Sequence, residues 1–276
     1  MKATQTFVVV LLIFILALPV QALEPFVLYD DFNSKLIDVN KWFGGQERSG
    51  AVVLLEFVRQ IQENRLHMAN RTYGDTTSNK GTSRGYNNLR FIDGSRITGM
   101  KATVQVNDVE TKGCRANPVP STASLHLMGS FFNTTATPTP NSVMNDVIAW
   151  IGIQRKSNST DKPNVLEVNY MVMECRDKNC FSSNLLDKGF LGIVMTGSIV
   201  DLSLRWDQAN HQFIFQLDNQ SAVFSPYKVS NISRPGSGFK RIDLGHDVAN
   251  CSGEPRSAAF IDAYFHKVFV NEKASP

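Results

Sequence analysis

The chain has 276 residues, 42% of them hydrophobic and 19% charged. That composition is globular and too apolar for a disordered chain. Its 28 basic and 25 acidic side chains leave a formal charge of +3, too small an excess for the basic stripe of a nucleic-acid-binding surface.

The first segment is Lys2, an unbroken apolar run over 7–18, Pro19, and then Val20 and Ala22 at the small-residue positions of a cut. This is the layout of a secretory signal. A bilayer span needs about 20 apolar residues; the run is shorter, ends at proline, and no later stretch reaches that length. Residues 1–22 are therefore expected to be a removed signal peptide and 23–276 a single domain. The expected location is secreted, periplasmic or extracellular, with no integral membrane segment in the mature chain. Losing Lys2 leaves 27 basic against 25 acidic side chains, or +2. So neutral a surface gives no electrostatic reason to expect nucleic acid or anionic membrane as partner.

Downstream, the dominant pattern is the two-residue alternation of half-buried strands. Residues 52–68 read either as a helix or as two short strands turning at Asn64-Arg65, and strands are preferred because everything after them is β. In 97–106, Met100, Ala102, Val104 and Val106 share a face. In 121–131, Ala123, Leu125, Leu127, Gly129 and Phe131 do the same. In 146–155, Val147, Ala149, Ile151 and Ile153 face one way, Trp150, Gly152 and Gln154 the other. In 165–174, Leu166, Val168, Tyr170 and Val172 oppose Glu167, Asn169, Met171 and Met173. Segments 199–206 and 211–217 form an expected hairpin, with Leu202, Leu204 and Trp206 packing against Phe213, Phe215 and Leu217. A last strand fills 259–270. The longest expected loops are 73–85, 111–121, 133–145 and 157–164. Many strands without βα alternation indicate an all-β sandwich.

In an oxidising compartment the four cysteines read as two disulfides. A polar turn separates Cys175 from Cys180, which leaves Cys114 for Cys251. No C-x-x-C and no histidine at ligand spacing supports zinc instead. Sequons stand at Asn70, Asn133, Asn158, Asn219, Asn231 and Asn250. Gly81-Thr82-Ser83-Arg84-Gly85 matches G-x-S-x-G, but without the strand and helix of a nucleophile elbow it reads as chance in a loop. Gly245-His246-Asp247 reads as ordinary surface chemistry.

Residues 29–42, YDDFNSKLIDVNKW, and 258–271, AAFIDAYFHKVFVN, resemble the opening and closing strands of concanavalin A-like lectin/glucanase proteins. The resemblance implies a jelly roll of two antiparallel sheets, one of which often holds sugar. Its laminarinase-type hydrolases carry Glu-x-Asp-x-x-Glu on one strand, so that a nucleophile and a proton donor stand about 5–5.5 Å apart. None of the nine glutamates here begins Glu-x-Asp. Glu167 and Glu174 are separated by an odd number of residues and point to opposite faces. Glu167 with Asn169 has the right spacing, but an amide cannot carry the proton.

Aromatic faces stack on sugar rings, so Trp150, Gln154, Glu167 and Asn169 form the candidate ligand face. The competing reading packs Trp150 under a loop. Trp42 and Trp206 are expected in the core. Some relatives hold a structural Ca²⁺ near the chain ends, which makes Asp30, Asp31 and Asp262 a candidate set if the terminal strands pair. The preferred reading has Asp30 and Asp31 capping a turn and Asp262 facing solvent, with no other cofactor expected. The first functional reading is a non-catalytic glycan- or surface-binding module, with carbohydrate as partner. The alternatives are a divergent glycoside hydrolase or lyase, and a structural envelope or matrix protein.

Overall fold

In the computed structural model, residues 23–49, 55–229, 232–253 and 255–274 are described. The expected signal peptide, the sequon at Asn231 and residues 52–54 of the ambiguous segment lie outside them.

The alternating segments are strands because pleating sends successive side chains to opposite faces, and only one face of each meets the core. They are β1 (Phe26–Asp30), β2 (Trp42–Ser49), β3 (Leu55–Gln62), β4 (Arg65–Tyr73), β5 (Thr82–Phe91), β6 (Gly99–Lys112), β7 (Thr122–Asn133) and β8 (Asp146–Lys156). There follow β9 (Val165–Cys175), β10 (Ser183–Met195), β11 (Ile199–Asp207), β12 (Gln212–Leu217), β13 (Val223–Pro226), β14 (Lys240–Ala249) and β15 (Ala258–Asn271). One sheet runs β13-β12-β11-β6-β15-β4-β3, with β1 added to β15, and the other runs β10-β9-β8-β7-β14-β5-β2. Here they are the first and the second sheet. Every strand pairing is antiparallel. The chain crosses between sheets repeatedly, among other places at β4–β5, β5–β6 and β6–β7. The closing pair then slots into both middles, β14 between β5 and β7, β15 between β4 and β6. This is the two-sheet jelly roll that the resemblance implies.

The expected hairpin forms in the expected register, with Leu202 opposite Leu217, Leu204 opposite Phe215 and Trp206 opposite Phe213. Residues 55–73 are two strands, and the turn sits at Glu63-Asn64, one residue earlier than expected. Both turn residues have positive φ, 53° and 55°, which matches the right-handed twist of the arms. The core lies between the sheets; Leu66, Met68, Leu125, Leu127, Phe213, Phe215 and Phe265 are fully enclosed. Each such side chain contributes about 1.5–3 kcal/mol relative to exposure. Trp42 joins it, and Trp206 packs against it half-buried. Near Ser130 the register of β7 shifts, so Phe131 and Phe132 are both buried, in place of simple alternation.

Strands β5 and β14 are among those that fill segments expected to be loop or left unassigned. The G-x-S-x-G segment opens β5, and its Ser83 is buried with Oγ donating to Asn250 Oδ1 at 2.8 Å. His246 is in β14, not on a surface loop, and its Nδ1 lies 2.9 Å from Thr72 Oγ1 in the opposite sheet. Asn87 crosses the same way, its Nδ2 donating to Val58 O at 2.8 Å and Ala69 O at 3.2 Å. These strands carry polar residues inward because the two sheets exchange hydrogen bonds there, and that hides their apolar period.

Both expected disulfides are present, Cys114–Cys251 and Cys175–Cys180. Asn70 and Asn133 are buried, whereas Asn158 and Asn219 are exposed.

Candidate functional site

The outer face of the second sheet carries the four residues expected to bind ligand. Gln154 pairs with Glu167, Gly152 with Asn169 and Trp150 with Met171 across β8 and β9. Even spacing therefore does bring Trp150, Gln154, Glu167 and Asn169 to one face. Glu167 Oε2 accepts from Gln154 Nε2 at 3.3 Å and from Asn169 Nδ2 at 3.2 Å, and Lys156 Nζ stands 3.8 Å away. All four side chains are half-buried. The partly open Trp150 ring meets His126 of β7 edge-on, with centroids 4.9 Å apart. Gly152 makes that contact possible: a Cβ there would lie 2.3 Å from Leu125 O and 2.5 Å from His126 Cδ2.

Beyond His126 lies a charge relay that spacing along the chain does not reveal. His126 Nδ1 is 2.8 Å from Asp243 Oδ1. Arg241 Nε lies 2.6 Å from Asp243 Oδ2, and its Nη1 donates to both Glu47 oxygens at 2.9 Å. Arg90 Nη2 closes on Glu47 as well. The residues come from β7, β14, β2 and β5, and the separation of Glu47 from Arg241 is 194 positions. The one local signal is the i, i+2, i+6 placement of Arg241, Asp243 and Asp247 on β14, which puts three charges on one face.

The chemistry follows from the pairing. Burial raises the Asp243 carboxyl, but Arg241 and His126 more than offset it, and its pKa is lowered. The Glu47 carboxyl is likewise raised by burial and pulled lower by Arg241 and Arg90. Burial depresses the Arg241 guanidinium, but Asp243 and Glu47 outweigh it and raise its pKa. A proton-donating glycosidase acid needs the opposite, a carboxyl held protonated near neutral pH. Both acids are instead fixed as anions by the arginine between them.

At the β2–β5 end, this face opens into a cleft of about 790 Å³ whose walls include Phe43, Arg90, Asp93, Arg234 and Phe239. Phe239 faces the guanidinium carbons of Arg90 at 5.8 Å and Arg241 at 5.3 Å.

The candidate calcium set does not assemble. Asp30 pairs in register with Val268, which leaves Asp262 six residues further along β15, about 20 Å away at strand rise. Asp30 is occupied within the core edge: Oδ2 accepts from Trp42 Nε1 at 2.7 Å and Oδ1 from Phe32 N at 2.9 Å. Asp31 Oδ1 caps Asn33 N at 3.3 Å. Asp262 is not a free surface acid either, with His67 Nε2 at 2.8 Å and Asn107 Nδ2 at 3.0 Å. Among the described residues, no group of three or more His, Cys, Asp or Glu is placed to hold a metal ion. Among the same residues, no helix is long and apolar enough to cross a membrane.

No family model matches the chain, and no curated protein does. Among solved structures, it is similar to an endo-β-galactosidase of Clostridium perfringens that releases GlcNAcα1-4Gal, at 9% identity and a TM-score of 0.46. That likeness covers 93% of this chain but 65% of the enzyme, so the chain spans under two thirds of its length. A glycoside hydrolase family 16 endo-glucanase from Bacteroides ovatus is similar at 12% identity and a TM-score of 0.43, over 87% of this chain and 98% of that one. A Bacillus subtilis protein of unknown function with a galectin-like fold is similar at 10% identity and a TM-score of 0.41, over 91% and 99%. Likenesses this distant carry no activity over to the chain. Its own strand order, with β14 and β15 slotted into the middle of the two sheets, is that of a two-sheet antiparallel jelly roll.

Proposed function

We propose that this is an exported, non-catalytic carbohydrate-binding protein whose ligand lies on the outer face of the second sheet. The observation that carries the reading is Trp150: a partly open indole, braced by His126, with a hydrogen-bonding row of Gln154, Glu167 and Asn169 beside it. Indole faces stack on the apolar faces of sugar rings, while amides and carboxylates take the hydroxyls. The ionised, arginine-bound state of Glu47 and Asp243 favours binding over hydrolysis, because neither has a proton to give.

Three measurements test the reading. Glycan-array binding of the mature chain should yield hits that Trp150→Ala loses by about tenfold or more, or about 1.4 kcal/mol. An array without hits, or hits indifferent to Trp150→Ala, removes it. Release of reducing ends from a bound glycan would point to the hydrolase instead. Export itself is tested by the N-terminus of secreted protein, expected at Leu23.

A further inference from the structure

We infer that the cleft between the β2–β5 end of the second sheet and the loop before β14 takes an anionic sugar, a uronate or a sulfate ester, with Arg234 as its principal anion ligand. The inference rests on the carbohydrate reading above and narrows the ligand class. Two arginines and one acid, Arg90, Arg234 and Asp93, line the cleft. Arg234 is exposed and has no hydrogen bond or ion pair among the described residues. The guanidinium of Arg90 commits Nη2 to Glu47, and among the described residues its Nη1 makes no hydrogen bond. Asp93 is partly occupied, its Oδ1 accepting from Ser95 Oγ at 2.9 Å. The cleft therefore presents unused planar donors, which suit the paired oxygens of a carboxylate or sulfate.

The same walls offer ring surface. Phe43 is 60% exposed, and Phe239 lies across the cleft lining beside Arg90. The loop bearing Arg234 is anchored from below: buried Asp146 accepts from Gly236 N at 2.8 Å and Ser237 N at 3.3 Å. That anchoring lowers the ordering cost of binding. The cleft is continuous with the Trp150 face, since Phe43 pairs with Arg90, Arg90 with Arg241, Arg241 with Met128 and Met128 with Trp150. At about 4.8 Å per strand, that row spans roughly 19 Å.

The test is calorimetric titration of the mature chain with three probes: tetragalacturonate, a sulfated galactan tetrasaccharide and the unsulfated galactan tetrasaccharide. The variants are Arg234→Gln, on an exposed loop, and Trp150→Ala. One anionic probe should bind about tenfold or more tighter than the neutral one, and the stronger of the two distinguishes carboxylate from sulfate. Arg234→Gln should remove that preference, as should salt that shrinks the Debye length to about 3 Å. Equal binding of all three probes, lost in Trp150→Ala and unchanged in Arg234→Gln, overturns the anionic cleft and leaves the Trp150 face standing. Anionic binding lost in Arg234→Gln but kept in Trp150→Ala supports the cleft and removes the Trp150 face. Absence of binding to any probe overturns the cleft, while hits for neutral glycans elsewhere on an array keep the broader reading alive.

Discussion

His126 Nδ1 lies 2.8 Å from Asp243 Oδ1 across the β7–β14 pairing, and Asp243 is wholly enclosed. The contact joins the aromatic part of the outer face to its charged part. Trp150 leans on the imidazole from one side, and Arg241 grips the carboxylate from the other.

Asp243→Asn leaves Arg241 buried with half its compensation. Breaking a buried ion pair from one side costs about 3–5 kcal/mol, and urea denaturation should show a loss of that order. Asp243→Asn with unchanged stability would mean that Glu47 alone satisfies the guanidinium.

Acid should weaken the wild type through the same group. The folded-state pKa of Asp243 is lowered, chiefly by Arg241 working against burial. The native state thus binds this proton less readily than the unfolded chain, whose value is about 3.9. The stabilisation is complete above that value and is lost as pH falls toward the lower folded-state value. Melts below about pH 4 should therefore fall more steeply in the wild type than in Asp243→Asn.

Lys240 gives a slope of the same sign at the alkaline end. It is fully buried, with Nζ bonded to Ser130 O and 4.4 Å from the Phe131 ring centre. Burial brings its pKa down to about 7, against a smaller upward pull from Asp146. The unfolded lysine keeps its proton to about pH 10.4, so stability should rise between about pH 7 and 10 by at most about 1.4 kcal/mol per unit. Thermal melts across that range should lose this rise in Lys240→Met. A slope that survives the substitution would assign it to another group.

The disulfides should contribute unequally. Cys114–Cys251 spans 137 positions and Cys175–Cys180 spans 5. Loop-closure entropy gives about 5 kcal/mol for the first and about 2 for the second. Paired alanine variants, compared by denaturant midpoint, should keep that order.

Gly152→Ala should disturb the Trp150 face without touching any ligand. Its Cβ has no room beside Leu125 O and His126, and overpacking of this kind costs about 1–3 kcal/mol. Tryptophan fluorescence near Trp150 should shift along with the melting temperature; a silent substitution would mean that the β7–β8 spacing is loose.

The residues read correctly from the sequence are those whose side chains obey one face at a time. The β11–β12 hairpin was legible because Leu202, Leu204 and Trp206 alternate cleanly against Phe213, Phe215 and Leu217. Trp150, Gln154, Glu167 and Asn169 were legible for the same reason, because parity on two neighbouring strands decides a shared face. Strands β5 and β14 were not, since Asn87 and His246 turn polar groups inward while Arg90, Arg241 and Asp243 keep charges outward.

The all-β class and the outward set around Trp150 could be read from local period alone, and a short list of partners made the observed disulfide pairing the preferred one of three. Only the tertiary structure decided that Asp30 and Asp262 stand apart, and that Glu47, Arg90, Arg241, Asp243 and His126 converge. Those outcomes depend on strand order and register between segments as distant as Glu47 and Arg241. Register is set by how the two sheets bury their inner faces together, and no single strand carries that information.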